Sequence, residues 1–269
     1  MQIVFFILLF ILGACFGSFL CCQARRLHLK TQKNPKKLNK RSVCLSCGYQ
    51  LKWYDNIPIF SWLTLKGKCR KCGKKIGIAE LLSELGLGLA FLLLGISAYY
   101  NGLSFSSPSI IAWCLFVFTL IFTLILSFLA IYDGLYGELP TLGLIIAILG
   151  AIVIVVLREL GTTTIFPDLI DLLFAVLILG GIYFVLYLVS KGKWVGDGDW
   201  LLGTAIALAL GTPWFAIIAL FISNLLACII MFPIVKKTHH TKIYFGPFMV
   251  VAFVLVQSFA TFFLYALGN

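Results

Sequence analysis

Residues 109–134 read SIIAWCLFVFTLIFTLILSFLAIYDG, and the first charged side chain in that run is Asp133. At 1.5 Å per residue, about 20 apolar residues cover the roughly 30 Å of bilayer hydrocarbon, so this stretch reads as a membrane-spanning helix with an acid at its end. A carboxylate in such a place costs about 2 to 3 kcal/mol near the bilayer centre and less toward the interface, and is usually kept for a function.

The pattern recurs along the chain. Apolar runs of spanning length lie at 3–22, 80–99, 141–157 and 169–189, then across 200–235, and at 245–267. With 61% hydrophobic and 12% charged residues over 269 positions and a mean hydropathy of +1.06, the fold class is an all-α polytopic membrane protein. A soluble domain is excluded.

The net charge of +11 is concentrated: 15 of the 21 Lys and Arg residues fall between Arg25 and Lys75. Lys191, Lys193, Lys236, Lys237 and Lys242 mark two further basic loops, and only Arg158 lies elsewhere. The positive-inside rule then puts 23–79, 190–199 and 236–244 in the cytoplasm, and 100–108 and 158–168 outside. Because Lys193 and Lys236 share a side, the 200–235 stretch crosses twice, turning at Gly211-Thr212-Pro213, or forms a re-entrant hairpin. About eight helices are expected, with both termini outside and the sixth unusually short. The N-terminal run lacks a positive n-region and is followed by Arg25 and Arg26, which favours a retained helix over a cleaved signal.

On this topology Asp133 ends the third helix at the cytoplasmic face and Asp199 begins the sixth there. Glu159, Asp168 and Asp171 fall on the opposite side, leaving Asp55, Glu80, Glu84, Asp133, Glu138, Asp197 and Asp199 as candidate acids. Paired aspartates do chemistry when one holds a proton and the other does not, the charged one acting as base on water and the neutral one polarising a carbonyl. Asp199, at a helix start, feels the positive end of the helix dipole, and the pair titrates as one unit. Gly196 and Gly198 allow a tight turn and close substrate approach, and Pro140 suits the first turn of the helix after Asp133. Asp197 competes with Asp199 for the functional role, and both aspartates could instead simply mark helix ends.

A second constellation is Cys44-Leu45-Ser46-Cys47-Gly48 with Cys69-Arg70-Lys71-Cys72-Gly73. Two CxxCG units give four thiolates at the spacing that closes a tetrahedral structural zinc site, each glycine permitting a left-handed turn. In a cytoplasmic loop thiols stay reduced, so two disulfides are the weaker reading. A loop of this size also needs such a staple in order to fold. Cys15, Cys21, Cys22, Cys114 and Cys228 read as small apolar residues of the helices. The basic module superficially suggests nucleic acid, but membrane topology already explains its charge, and no nucleic-acid partner is expected. His239 and His240 read as a solvated loop. Gly86-Leu87-Gly88 reads as helix packing rather than a nucleotide fingerprint.

These residues resemble the bacterial type IV prepilin leader peptidases, membrane aspartic proteases of the GxGD class that are usually also N-methyltransferases. The resemblance runs along nearly the whole chain. Gly17-Ser18-Phe19 with Arg25-Arg26-Leu27 looks like the family's first helix end. Cys44 through Trp53, Asn56-Ile57-Pro58, Ser61-Trp62, Leu65, Gly67-Lys68-Cys69-Arg70 and Cys72 resemble its zinc loop. Asp133 with Leu139-Pro140, and Gly196, Gly198 and Asp199, resemble its two catalytic motifs. Two departures stand out: Ile78-Ala79-Glu80-Leu81 replaces an Arg-Tyr-Pro-like segment, and Thr141 replaces an acid after the Leu-Pro.

The resemblance implies a first transmembrane helix at 1–22, a basic zinc loop at 23–79 and a transmembrane aspartic peptidase domain at 80–269. It implies catalytic Asp133 and Asp199, structural zinc on Cys44, Cys47, Cys69 and Cys72, and S-adenosylmethionine as methyl donor, with its contacts unassigned. It also implies a prepilin or pseudopilin substrate, met in the lipid of the cytoplasmic (inner) membrane and cut after a glycine at its cytoplasmic face. The rival readings are an ion-coupled transporter or channel subunit with a zinc docking loop, or a GxGD protease without methyl transfer. A transporter would carry its acids near the bilayer centre and repeat its broken helices in two halves, and no internal repeat is visible.

Overall fold

The computed structural model describes residues 2–31, 42–44, 46–101, 103, 109–161, 169–192, 195–238 and 244–260. Asp168, His239 and His240 lie outside the described residues, as does the C-terminal part of the helix expected at 245–267. Among the described residues the regular structure is helical, with two isolated β-bridges and no strand. The chain divides into two compact units, Met1–Leu92 and Leu93–Asn269.

In the first unit α1 (Gln2–Thr31) packs on the N-terminal part of α3 (Ile78–Tyr100). The approach is backbone to backbone: a Cβ on Gly13 would collide with the Leu87 carbonyl, and one on Gly17 with that of Ser83. Small residues one helical turn apart allow such contact where lipid supplies no hydrophobic drive between helices. The expected packing role of Gly86-Leu87-Gly88 holds for Gly88, where a Cβ would meet Phe10 at 3.0 Å, but not for Gly86, which faces open space. Between these helices lies a small module with a 3-10 turn at Trp53–Asn56 and the short helix α2 (Phe60–Thr64).

The second unit contains α4 (Ile110–Tyr136), α5 (Thr141–Gly161), α6 (Leu169–Val176) continued through a π-helical turn into α7 (Ile182–Ser190), α8 (Asp199–Leu210), α9 (Pro213–Thr238) and α10 (Gly246–Ser258). Six helical stretches among the described residues are long and apolar enough to cross a membrane, and α8 and α10 are shorter apolar helices. The chain is a multi-pass membrane protein. The two helices expected from 200–235 are α8 and α9, which break at Gly211 in the left-handed conformation (φ +80°).

With 12 residues, α8 is only about 18 Å long, too short for a perpendicular crossing. Its C-terminal carbonyls are met from within the protein. Arg158 of α5, the lone basic residue outside the basic loops, donates to the carbonyls of Ala209 at 2.7 Å and Leu210 at 3.2 Å. A cation at a helix C-terminus is favoured by the dipole and satisfies acceptors that lipid could not.

Candidate active site and metal centre

Four sulfurs converge in the module of the first unit. The Sγ atoms of Cys44, Cys47, Cys69 and Cys72 all lie within 4.8 Å of one another, with Cys44 to Cys72 at 3.9 Å and Cys47 to Cys69 at 4.0 Å. Zn–S bonds of about 2.3 Å in a tetrahedron require sulfurs roughly 3.8 Å apart, so the set fits a zinc-sized ion.

The two CxxCG units fold alike. Cys44 N–H donates to the Tyr49 carbonyl and Gly48 N–H to that of Cys44; Cys69 N–H donates to the Lys74 carbonyl and Gly73 N–H to that of Cys69. Gly48 and Gly73 both have φ of +68°, the left-handed turn expected after each second cysteine. Hydrogen bonding from the Ser46 backbone N–H lowers the Cys44 thiol to about 6, toward the thiolate that a metal needs. Asp55, one of the candidate acids, is buried here in an ion pair with Arg70 at 2.8 Å.

The second unit brings Asp133 and Asp199 together. Asp133 lies in the last turn of α4, which Gly137 closes at φ +69° by donating its N–H to the Asp133 carbonyl at 2.7 Å. Asp199 is the first residue of α8. Each carboxylate is 6% exposed, and the two are close enough for one to feel the other's charge. Asp197 and Glu138 are exposed, so burial separates Asp199 from the neighbour that competes with it in sequence.

Each carboxylate is held by a glycine N–H. Gly196 donates to Asp199 Oδ2 at 2.8 Å, a local turn within one motif, and Gly246 donates to Asp133 Oδ2 at 3.0 Å from 113 residues away. Gly246 was not singled out in the sequence. It opens α10 beside Pro247, in the place and company of an ordinary helix start, and neither charge nor periodicity distinguishes it. A Cβ there would lie 2.8 Å from Asp133 Oδ2. The flanking residues lie against the same helix end, Tyr244 on Gly137 and Pro247 beside Gly134, while Phe245 stacks edge-on to Tyr183.

Gly196 and Gly198 differ from expectation in their reason for being glycine. Neither has a positive φ, and Gly198 is at −84°. What matters is closeness: a Cβ on Gly198 would lie 2.7 Å from the Leu139 side chain, and one on Gly196 would lie 3.3 Å from Asp199 Oδ2. The Leu139-Pro140 step therefore packs into the Gly196-to-Asp199 turn and ties the two aspartate segments together. Pro140 immediately precedes α5, and its carbonyl accepts the first-turn hydrogen bond from Leu144 N–H.

Comparison with known proteins gives the following. The family model "Bacterial Peptidase A24 N-terminal domain" matches residues 11–98. The "Prepilin leader peptidase/N-methyltransferase" of Dichelobacter nodosus is 30% identical over 215 residues, covering 78% of this chain and 68% of that protein. The Vibrio cholerae protein of the same name is 25% identical over 260 residues, covering 95% and 97%. The Myxococcus xanthus protein of that name is 43% identical over 88 residues, covering 33% of this chain, and the match spans only a quarter of that relative's length. No solved structure matches.

Proposed function

We propose a function from one premise: this chain belongs to the prepilin leader peptidase/N-methyltransferase family. It cleaves the leader of a prepilin or pseudopilin after a glycine, at the cytoplasmic face of the inner membrane, and methylates the new N-terminus. The observation that carries the cleavage is the buried pair Asp133 and Asp199, each with one oxygen fixed by a glycine N–H.

That arrangement divides the work between the oxygens of each carboxylate. Oδ2 is occupied by the backbone, which leaves the second oxygen for water or substrate. With one proton shared across the pair, the ionised aspartate takes a proton from the attacking water while the neutral one donates to the scissile carbonyl. Collapse of the tetrahedral intermediate returns a proton to the leaving amine, and the pair is ready again. A glycine before the cut suits the buried setting, since an extended backbone without a side chain reaches carboxylates at helix ends most easily.

Zinc belongs on Cys44, Cys47, Cys69 and Cys72 as a structural staple, with no open coordination position for chemistry. S-adenosylmethionine, when bound, would supply the methyl group for the new N-terminal amine. An ion-coupled transporter is disfavoured by the names of the relatives. The testing experiment is mass spectrometry of a prepilin incubated with the purified protein and S-adenosylmethionine. Loss of the leader with gain of one methyl group is expected, and neither change should occur with Asp133→Asn. An intact substrate, with the wild-type protein shown folded and zinc-loaded, would overturn the reading.

A further inference from the structure

The module of the first unit is tied to the membrane at both ends, by α1 and by α3, two of the helices long and apolar enough to cross it. One hydrogen bond sets its depth. Ile59, the residue before α2, donates its N–H to Glu84 Oε2 at 2.7 Å. Glu84 lies well inside α3, so the start of α2 is level with a point about 9 Å along that helix from Ile78 rather than beyond its end. With 23 residues α3 is about 35 Å long against roughly 30 Å of hydrocarbon, which puts that level at or below the lipid headgroups. The position along α1 agrees. A Cβ on Gly17 would lie 2.8 Å from the Glu84 Cα, and about 12 Å of helix separates Gly17 from Arg25, the first basic residue of the chain.

At this depth α2 is two-faced. Trp62 turns inward, its ring against Gly67 and its Nε1 buried. Phe60 and Leu63, three positions apart and so on one side of the helix, are 70% and 56% exposed. Trp53, in the 3-10 turn that packs on α2, is 79% exposed. Ile78, Leu82 and Leu89 share an exposed face of α3, the lipid-facing side of a spanning helix, so apolar surface is presented by α2 and by α3 at the same level. Strain maintains the arrangement: the bond to Glu84 holds Ile59 at φ +65°, an outlier for a β-branched residue.

The charge around this face suits one occupant. Lys52 precedes Trp53 and Lys66 follows α2, both exposed, in the stretch that concentrates the chain's basic residues. Apolar side chains that enter about 5 to 10 Å into a leaflet, tryptophan at headgroup level and lysines toward the phosphates make up an interfacial membrane anchor. We propose that Trp53, Phe60 and Leu63 insert into the lipid leaflet beside α3, with Lys52 and Lys66 meeting anionic phospholipid headgroups. The cysteine cluster is thereby held at the membrane surface.

The test uses the full-length, zinc-loaded protein reconstituted in vesicles of phosphatidylcholine and phosphatidylglycerol. One lipid carries bromine near the headgroup end of its acyl chain, where it quenches indole emission on contact. Subtracting the Trp53→Phe spectrum from that of the wild type isolates Trp53 among the six tryptophans. Its emission should lie to the blue of a water-exposed indole and be largely lost in the brominated vesicles. Phe60→Ser combined with Leu63→Ser should restore it with zinc content unchanged. A second readout needs no substitution: a phospholipid with a diazirine at the same depth should label the wild type within residues 53–66. Trp53 emission at the water-exposed wavelength, or no lipid label in 53–66, would overturn the proposal. So would burial of Trp53 that appears only on adding a prepilin or only in cross-linked pairs of the protein, since the face would then belong to the substrate or to a second copy.

Discussion

Glycine serves the cysteine cluster and the aspartate pair in opposite ways. Gly48 and Gly73 have nothing within 4 Å of a would-be Cβ, and are needed because their backbone is left-handed. Gly198 and Gly246 have ordinary backbone angles, and are needed because another part of the chain occupies the space of a side chain. The first kind of constraint is local and can be met by another residue tolerant of positive φ. The second is tertiary, and no side chain relieves it. A cysteine cluster closed by local turns and an acid pair closed by distant residues therefore differ in what they withstand.

The largest effect that could break this comparison lies at the acids. Asp133→Asn and Asp199→Asn should each lower cleavage by about 10² to 10⁴ with the melting temperature retained, whereas the exposed Asp197→Asn should cleave like wild type. Activity surviving in Asp199→Asn but lost in Asp197→Asn would reverse the assignment. Next, Gly246→Ala places a methyl group against Asp133 and should cost about 10²-fold in rate, measured as kcat on a prepilin at unchanged zinc content.

Cys44→Ser should release the metal and expose the loop to protease, read by metal analysis and limited digestion. Acid should do the same. The cysteines ligate as thiolates, so protons compete with the metal and its affinity falls as pH falls. A smaller effect sharpens the contrast directly. Gly48→Ala should cost the module about 1 to 2 kcal/mol, by zinc-dependent melting, and Gly48→Asn less. If Gly246→Asn were tolerated as well as Gly48→Asn, the distinction between the two kinds of glycine would fail.

The cysteine cluster was almost completely legible in the sequence, because its four cysteines, their spacing and the turn glycines sit within two short runs. The membrane class was legible for a similar reason: a run of apolar residues is its own signal. Asp133 and Asp199 were legible as costly acids beside glycines, whereas the burial that distinguishes Asp199 from exposed Asp197 was not. Gly246 had no such mark, since a backbone N–H is identical at every non-proline residue and its partner lies 113 positions away. The cap that Arg158 places on α8 was equally hidden. In sequence it appeared only as an isolated positive charge, and its partners are carbonyls.

The unequal reach of the two anchoring N–H groups has a consequence for heating. Asp199 takes its hydrogen bond from within its own turn and keeps it as long as that turn persists. Asp133 takes its bond from the first residue of α10, a helix of 13 residues. Helix ends can open locally at free energies below that of global unfolding, so an opening confined to the start of α10 would release the Asp133 carboxylate while the rest of the bundle remains intact. The rate of deuterium uptake at the Gly246 amide would then report how often its bond to Asp133 opens.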